Sequence, residues 1–442
     1  MKKVTFKNSR NLNLLGNLYA AGSGDIVILS HGFTSDKYSK GRFERLTKAL
    51  NSINISALTF DFSGCGESDD DSLNMDKEID DLKSAVNFVK GLGYKRIALY
   101  GHSLGTVISL KAFSKEIIAM VLSGAGTDSM KYNWNEVFSE GQMKDLAENG
   151  IIAELRPGET REKIVIEEQM LRDFEQVDGE ILLKNITCPV LIIHGNRGEE
   201  ENFLLEKSKR GINLLPPESK LVIVDGADHS FMEHYEKLIS LTCDWFKKWF
   251  DRDSFNKMAG YKENIQDRTK AVAKDVIDRL DLNPNTSALD VGCGTGILYP
   301  LIKGKGARYT GIDISGNMVK EFLSVYPEAD VSNQDFEENI LYNDSFDYVI
   351  IFNSIPHFNN LEGVFKNAFN NLKSGGSFII AHSKTRLQLK EHHKKINYKS
   401  LKEPIPSDEK LMELTIKYGF ISAKIEDDKY FYFSCEKRNT DG

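Results

Sequence analysis

Two glycine-framed turns, nearly two hundred residues apart, constrain the fold more than any other feature of this chain. Gly101-His102-Ser103-Leu104-Gly105 follows the apolar run Arg96 to Tyr100, and Leu289-Asp290-Val291-Gly292-Cys293-Gly294-Thr295-Gly296 grows out of the run Ser287 to Val291. A short run that is apolar on both faces and ends in a glycine turn before a helical pattern reads as a buried strand of a parallel sheet. The first turn places a serine where its hydroxyl projects out of the sheet, with glycine wherever a side chain would clash. The second lets backbone N–H groups approach a ligand at a helix start. Each turn has its own strand and its own helix, so they cannot belong to one site. At 442 residues the chain also exceeds the size at which single cores stop growing. Two doubly wound α/β domains are expected, over 1–250 and 254–442.

In the first half, Asp25 to Ser30, Ile55 to Phe60, Ile117 to Ser123, Val190 to Ile193 and Leu221 to Val224 are further strand candidates. Helical patterns over Phe43 to Asn51 and Met75 to Leu92 lie between them, an alternation that implies right-handed crossovers. The stretch 127–185 breaks the alternation and is expected to form a small cap. Trp134, Phe138, Met143, Met170 and Phe174 are candidates to line a pocket beneath it or simply to pack it.

His31-Gly32-Phe33, the loop Asp61 to Ser68, the Gly101 to Gly105 elbow and Gly226-Ala227-Asp228-His229-Ser230-Phe231 together resemble the α/β-hydrolase family, in particular its small-esterase branch with the cinnamoyl and feruloyl esterases. The resemblance covers roughly residues 3 to 250. It implies Ser103 as nucleophile, His229 as its base, and the main-chain N–H groups of Phe33 and Leu104 as donors to the developing oxyanion. His31, His102 and Cys65 read as structural loop members. The third triad member departs from the pattern: the family aspartate is expected four residues past the histidine ending the seventh strand, and His194-Gly195-Asn196-Arg197 is followed by Gly198. Glu199 or Glu200 is the expected substitute, with Asp128 on the preceding strand as the alternative. Loss of the acid, leaving a degenerate hydrolase, and interception of the acyl-enzyme by another acceptor stay open.

The pattern restarts after Asp251. A helix over Thr269 to Leu280 precedes the glycine loop, another starts at Ile297, and the strand Tyr309 to Ile312 ends at Asp313, 21 residues past Gly292. That spacing suits a carboxylate accepting from ribose hydroxyls. Asp290 ahead of the glycines would repel a pyrophosphate and attract an amino group. The segment Asp290 to Gly296 resembles the first motif of class I methyltransferases, Ser332 to Phe336 their adenine-contacting segment, and Phe346 to Ser354 their fourth strand. The helix Leu361 to Leu372, the turn Lys373 to Gly376 and the strand Ser377 to Ala381 follow in the order typical of that family. The resemblance runs from about 254 to 438 and implies S-adenosyl-L-methionine as cofactor, held by Asp290, Gly292, Gly294, Gly296, Asp313, Ile314, Asp335, Phe336 and Asn353. His357, His382 and His392, the last on a helix expected over Leu387 to Ile396, stand on the acceptor side. The paired acids of magnesium-dependent relatives are missing, and no metal site is expected.

Charge limits the partners. The formal net charge is −8, split −6 over residues 1–250 and −2 over residues 251–442, so neither half carries the basic surplus that neutralises phosphates. A small-molecule ester or thioester and a small methyl acceptor are expected, with no nucleic acid and no membrane. Met1 to Arg10 lacks an apolar core, and five cysteines are scattered without paired spacing, which points to the reducing cytoplasm. The resulting expectation is a serine hydrolase joined to a methyltransferase.

Overall fold

The structure is a computed structural model that describes residues 1–259, 267–338, 340, 342–395 and 402–438. The chain divides into two units, Met1–Trp249 and Phe250–Gly442, and the division falls inside the helix Tyr235–Met258.

The strands of the first unit are β1 (Lys2–Lys7), β2 (Asn13–Tyr19), β3 (Asp25–Ser30), β4 (Ser56–Phe60), β5 (Ser72–Leu73), β6 (Arg96–His102), β7 (Ile117–Ser123), β8 (Ile151–Leu155), β9 (Lys163–Glu167), β10 (Val190–Gly195) and β11 (Lys220–Val224). Eight of them form one sheet in the order β1-β2-β4-β3-β6-β7-β10-β11. From β4 to β11 neighbours run parallel, whereas β2 pairs antiparallel with both β1 and β4. The sequence gives little sign of β1, because only Phe6 in it is buried. By contrast every residue of β3 and β4 is buried, and these strands announce themselves as apolar runs. The chain winds outward from β3 to β4 and then crosses back to β6. The reversal brings the carboxyl ends of β3 and β6 side by side, and an open α/β sheet binds its ligands at such a point.

The stretch 127–185 lies outside the eight-stranded sheet. It comprises the helices Trp134–Val137, Glu140–Asn149, Glu168–Glu175 and Gly179–Lys184 and the hairpin β8–β9. β5 adds to β9 in parallel, tying the cap to the loop that follows β4. The helix Glu140–Asn149 starts at a reciprocal Ser139–Gln142 capping box and stops at Gly150, whose φ of 74° only glycine adopts freely.

The second unit contains β12 (Ser287–Val291), β13 (Arg308–Asp313), β14 (Asp330–Asn333), β15 (Phe346–Phe352), β16 (Leu372–His382), β17 (Phe420–Asp427) and β18 (Phe431–Lys437). Their order is β14-β13-β12-β15-β16-β18-β17, with β18 antiparallel to both its neighbours and the rest parallel. The winding reverses between β12 and β15, so the crevice at their carboxyl ends is again the ligand-binding position. Two boundaries differ from expectation. The helix after the glycine loop starts at Tyr299 rather than Ile297. The expected turn Lys373 to Gly376 is absorbed into β16, where the register against β15 shifts between Phe346 and Tyr348. The helix expected over Leu387 to Ile396 covers Arg386–Lys395; Ile396 lies outside the described residues. Among the described residues no helix is long and apolar enough to cross a membrane.

Candidate active sites

In the first unit the elbow geometry explains its own sequence. Ser103 caps the helix Leu104–Lys111 with φ 55° and ψ −125°, a conformation that costs a non-glycine residue on the order of 1–3 kcal/mol. A Cβ on Gly101 would stand 2.5 Å from the Gly105 carbonyl, and one on Gly105 would stand 2.3 Å from the Ser30 carbonyl. Both glycines are therefore dictated by close backbone contact. Gly32, in the turn after β3, lies against the nucleophile, since its Cβ would be 3.2 Å from that of Ser103. Phe33 follows Gly32 directly, and Leu104 opens the helix after Ser103.

His229 reaches Ser103 from the loop after β11. Its Nε2 accepts the Ser103 hydroxyl at 3.0 Å, and its Nδ1–H donates to Glu201 Oε2 at 2.6 Å. Gly124 makes room for the ring, because a Cβ there would stand 2.7 Å from His229 Cε1. The carboxylate at the base is thus Glu201, which corrects the expectation of Glu199 or Glu200. Both of those are exposed, and Glu200 instead accepts from the Tyr132 hydroxyl at 3.2 Å. Asp128 is no alternative either, since it accepts from the Gly179 amide and pairs with Lys207.

Glu201 is the third residue of the helix Glu199–Gly211, which starts right after Gly198 at φ 96° and ψ 152°. At that position the side chain turns inward under the strand ends, and the helix N-terminus favours a negative charge. Oε1 accepts from His194 Nδ1–H at 2.8 Å and from the Gly195 amide at 2.9 Å, leaving Oε2 for His229. His194 Nε2 in turn accepts from the Ser208 hydroxyl at 2.9 Å. Burial alone would raise the Glu201 carboxyl, but hydrogen bonds from His194 and His229 hold it down at about 2. Burial alone would lower His229, and Glu201 overrides it, leaving the imidazole raised above its ordinary value. His102 behaves as a structural residue. Buried and facing Arg42, it is held well below the ordinary imidazole range; its Nε2 accepts from Arg42 Nη1 at 2.9 Å and its Nδ1–H donates to Ser123. His31 is buried and neutral, donating to the Gly32 carbonyl, and burial pushes the Cys65 thiol far up.

Beside Ser103 the cap contributes aromatic rings. Phe174 packs edge-on against Phe33 at 5.6 Å and also meets Tyr132 and Trp134, and Trp134 stacks on Phe138. Met170 is fully buried, and Met143 only packs against the core. Arg156, from the turn after β8, donates to the carbonyl and hydroxyl of Thr34 next to Phe33. The turn after β3 and the stretch 127–185 are therefore joined by a direct pair of hydrogen bonds.

In the second unit the glycine loop folds over the end of β12. Gly292 (φ 70°) lies so close to β15 that a Cβ would stand 2.6 Å from Ser354 Oγ, and Gly296 (φ 96°) so close to Phe322 that a Cβ would stand 2.6 Å from its ring; Gly294 (φ 52°) faces open space. Asp313 closes β13 and is buried. Its Oδ2 accepts from the Gly294 amide at 2.9 Å and its Oδ1 from the Ser315 amide at 2.8 Å, with Ile314 half-buried between. Asp290 is fully buried beneath the loop and accepts from the Tyr309 hydroxyl at 2.8 Å. Burial first, and the Asp313 charge after it, push its carboxyl up to about 7 against the pull of that hydrogen bond.

Other expected cofactor residues are placed differently from one another. Asp335 accepts from the Glu337 amide at 3.1 Å, capping the turn after β14. The Phe336 ring is 2% exposed and packs within the core with Ile312, Phe346 and Phe365, where an apolar ring gains by burial. Asn353 takes φ 58°, and its side-chain oxygen accepts from the Ser383 amide at 2.7 Å. On the acceptor side, His357 follows β15 and pairs through Nδ1 with Asp251 Oδ2 at 3.3 Å, with the Phe255 ring edge-on at 4.8 Å. His382 is lowered to about 4 by burial and accepts from the Lys384 amide. His392 is exposed on its helix and joins the others through no described contact. The end of the helix Tyr235–Met258 also brings Asn256, which accepts from Ser315 Oγ at 2.8 Å and bonds Asn317. Sequence reasoning missed Asp251, Phe255 and Asn256, because nothing marks the tail of an amphipathic helix as part of the next unit's site.

Comparison with known proteins follows the same division. Residues 23–148 match a family described as serine aminopeptidase, S33, and residues 289–380 match a family described as methyltransferase domain. A malonyl-[acyl-carrier protein] O-methyltransferase of Acetivibrio thermocellus is 36% identical over 113 residues, covering 24% of this chain and 40% of that protein. A sterol 4-C-methyltransferase of Caenorhabditis elegans is 26% identical over 124 residues, covering 27% of this chain and 37% of that protein. The chain thus spans well under half the length of these curated relatives. Among solved structures, the ferulic-acid complex of Est1E from Butyrivibrio proteoclasticus is 19% identical with a TM-score of 0.45, covering 56% of this chain and 99% of that one. The chain carries an α/β-hydrolase domain followed by a methyltransferase domain.

Proposed function

We propose that the first unit is a serine hydrolase of carboxylic esters or thioesters and that the second transfers a methyl group from S-adenosyl-L-methionine to a small-molecule acceptor. The observation that carries the first half is the unbroken relay Ser103–His229–Glu201, at 3.0 and 2.6 Å. In it the Ser103 proton passes to His229 Nε2 as Oγ bonds to the acyl carbon. The carbonyl π pair moves onto oxygen, where the Phe33 and Leu104 amides stabilise it. Collapse expels the alkoxide or thiolate, which takes the proton from His229, and water repeats the sequence to free Ser103. Glu201 stays ionised throughout and steadies the imidazolium. With Glu201 supplying the carboxylate, the departure at Gly198 no longer favours a degenerate domain.

The second unit fits the cofactor in its donor set. An ionised carboxylate has about four acceptor positions, and Asp313 spends two on the loop amides, leaving two for a vicinal diol. Gly294 opens onto the crevice, and the buried acid of Asp290 suits an ammonium group. Asp335, Ile314 and Asn353 border the same strand ends. When bound, S-adenosyl-L-methionine supplies an electrophilic methyl group on a sulfonium. His357, oriented by Asp251, stands where it would take an acceptor proton. The acidic balance of both halves favours a small-molecule acceptor over nucleic acid, and five free, buried cysteines favour a reducing compartment such as the cytoplasm. A thiol or hydroxyl released by the hydrolase is a fitting acceptor, because each becomes nucleophilic only once its acyl group is gone. Fluorophosphonate labelling of the full chain, lost in Ser103→Ala, tests the first activity, and calorimetric titration with S-adenosyl-L-methionine tests the second. Labelling that persists in Ser103→Ala, or titration without heat of binding, would overturn the corresponding half.

A further inference from the structure

The hydrolase site has a carboxylate that its chemistry does not use. Glu200 adjoins the triad acid and lies close enough for its charge to bear on His229. It accepts from the Tyr132 hydroxyl at 3.2 Å. Among the described residues no lysine, arginine or histidine pairs with it, unlike the neighbouring acids Glu206, Asp228 and Glu233, each of which has a cationic partner. Three cations of this unit are engaged elsewhere: Arg42 with His102 and the Ser230 carbonyl, Lys207 with Asp128, and Arg156 with Thr34 and Glu154.

Aromatic faces stand next to this charge. The Tyr132 ring that anchors Glu200 is tilted against Trp134 at 5.1 Å and edge-on to Phe174 at 5.6 Å, and Phe174 reaches Phe33 beside the nucleophile. Tyr132, Trp134 and Phe33 are all partly exposed. A fixed negative charge beside accessible π faces attracts a bulky organic cation, through the ring quadrupole and through the charge itself. An uncharged acyl chain would gain from the rings alone.

Resting on the hydrolase reading above, we propose that Glu200 and the Tyr132–Trp134 pair select an ester or thioester whose leaving group carries a substituted ammonium. Position sets the leaving-group side. Glu200 adjoins the carboxylate that supports His229, and His229 returns its proton to the departing oxygen or sulfur. Glu200 acts here as a specificity residue and takes no part in bond making or breaking.

The test compares acetylthiocholine with the uncharged dimethylbutyl thioacetate, in which carbon replaces the quaternary nitrogen; the full chain is used and thiol release is followed colorimetrically. Wild type is expected to favour the cationic thioester in kcat/KM by about tenfold, and the preference should shrink as salt is raised. Glu200→Gln and Trp134→Leu should each lower the ratio towards one, mainly through KM, whereas Glu206→Gln should leave it as in wild type. Equal turnover of the two thioesters by wild type, or a preference that survives Glu200→Gln, overturns this inference and leaves the hydrolase standing. If neither thioester is cleaved and Ser103 takes no fluorophosphonate, the hydrolase reading falls and this inference with it.

Discussion

Replacing Glu201 by glutamine tests the relay at its least expected member. The site lowers the Glu201 carboxyl from 4.5 to about 2, a preference for the ionised form of about 3 kcal/mol at ~1.4 kcal/mol per unit. Glutamine keeps the fork but turns one of its two acceptor atoms into a donor. Its single oxygen must then serve either His194 and the Gly195 amide or His229. If the amide nitrogen faces His229, Nδ1 has to accept, the ring proton moves to Nε2, and the base can no longer take the Ser103 proton. A fall in kcat of roughly 10³–10⁴ is expected, or about 4–5.5 kcal/mol in the barrier, with KM changed only a few-fold. Hydrolysis of p-nitrophenyl acetate by the purified full chain measures it, with Glu199→Gln as the exposed control. The pH dependence has a definite sign. Wild-type kcat/KM should rise through a pKa above 6.5, where His229 loses its proton, because Glu201 outweighs the burial that would lower it. The stability that Glu201 contributes is fully present above pH 4.5 and is lost as pH falls towards 2, so the two proteins should converge in stability under acid. A Glu201→Gln protein within tenfold of wild-type turnover, or a Glu199→Gln protein that reproduces the loss, would refute the assignment.

Three further outcomes are expected. Gly124→Ala should cut esterase turnover at least a hundredfold with little change in circular dichroism, since its Cβ would stand 2.7 Å from His229 Cε1 and push the base off Ser103; unchanged activity would mean that the loop yields. Asp313→Ala should weaken S-adenosyl-L-methionine binding by roughly 1.5–3 kcal/mol in calorimetry, and unaltered affinity would remove Asp313 from the site. Asp290→Asn should raise the thermal midpoint of the second unit at pH 8 but not at pH 4. The wild-type carboxyl, unfolded at 3.8 and folded at about 7, costs stability that grows between those values and is constant above them; a midpoint lowered at pH 8 would refute the sign.

How far the sequence could be read depended on where each signal came from. β3, β4 and β12 are buried on both faces and appear as short, largely apolar runs, while β1 and β8 bury one residue each and leave little trace. Ser103 and the glycines at 101, 105, 292 and 296 were legible because close contact, with backbone at 101 and 105 and with side chains at 292 and 296, dictates residue type at fixed spacing. The carboxylate was not. Three glutamates in a row differ only in which way the first helical turn points them, and that direction is set by Gly198 and the helix start, which spacing does not reveal. The same blindness hid Asp251, Phe255 and Asn256, whose role depends on a helix that continues past Trp249. Phe336 shows that a motif does not reveal side-chain burial, since its ring packs in the core.

The buried acids Glu201 and Asp290 are held in different charge states, and the difference distinguishes the two sites. Glu201 receives three strong donors, from His194, the Gly195 amide and His229, and sits on a helix N-terminus, so it is an anion at any working pH. Asp290 receives the Tyr309 hydroxyl, faces a second acid in Asp313, and is pushed up to about 7. Burying a carboxyl with so little compensation costs stability that an asparagine would not. Such groups concentrate where function needs them. The hydrolase relay is complete in its own side chains and should react with an acyl probe as folded. The methyltransferase crevice holds an acid whose ionisation a cationic ligand would favour, so binding there should take up no proton above pH 7 and release one below it. Calorimetry of S-adenosyl-L-methionine binding in buffers of different ionisation heat reads that proton directly, and its presence at pH 6 with absence at pH 8 is the result this electrostatic contrast requires.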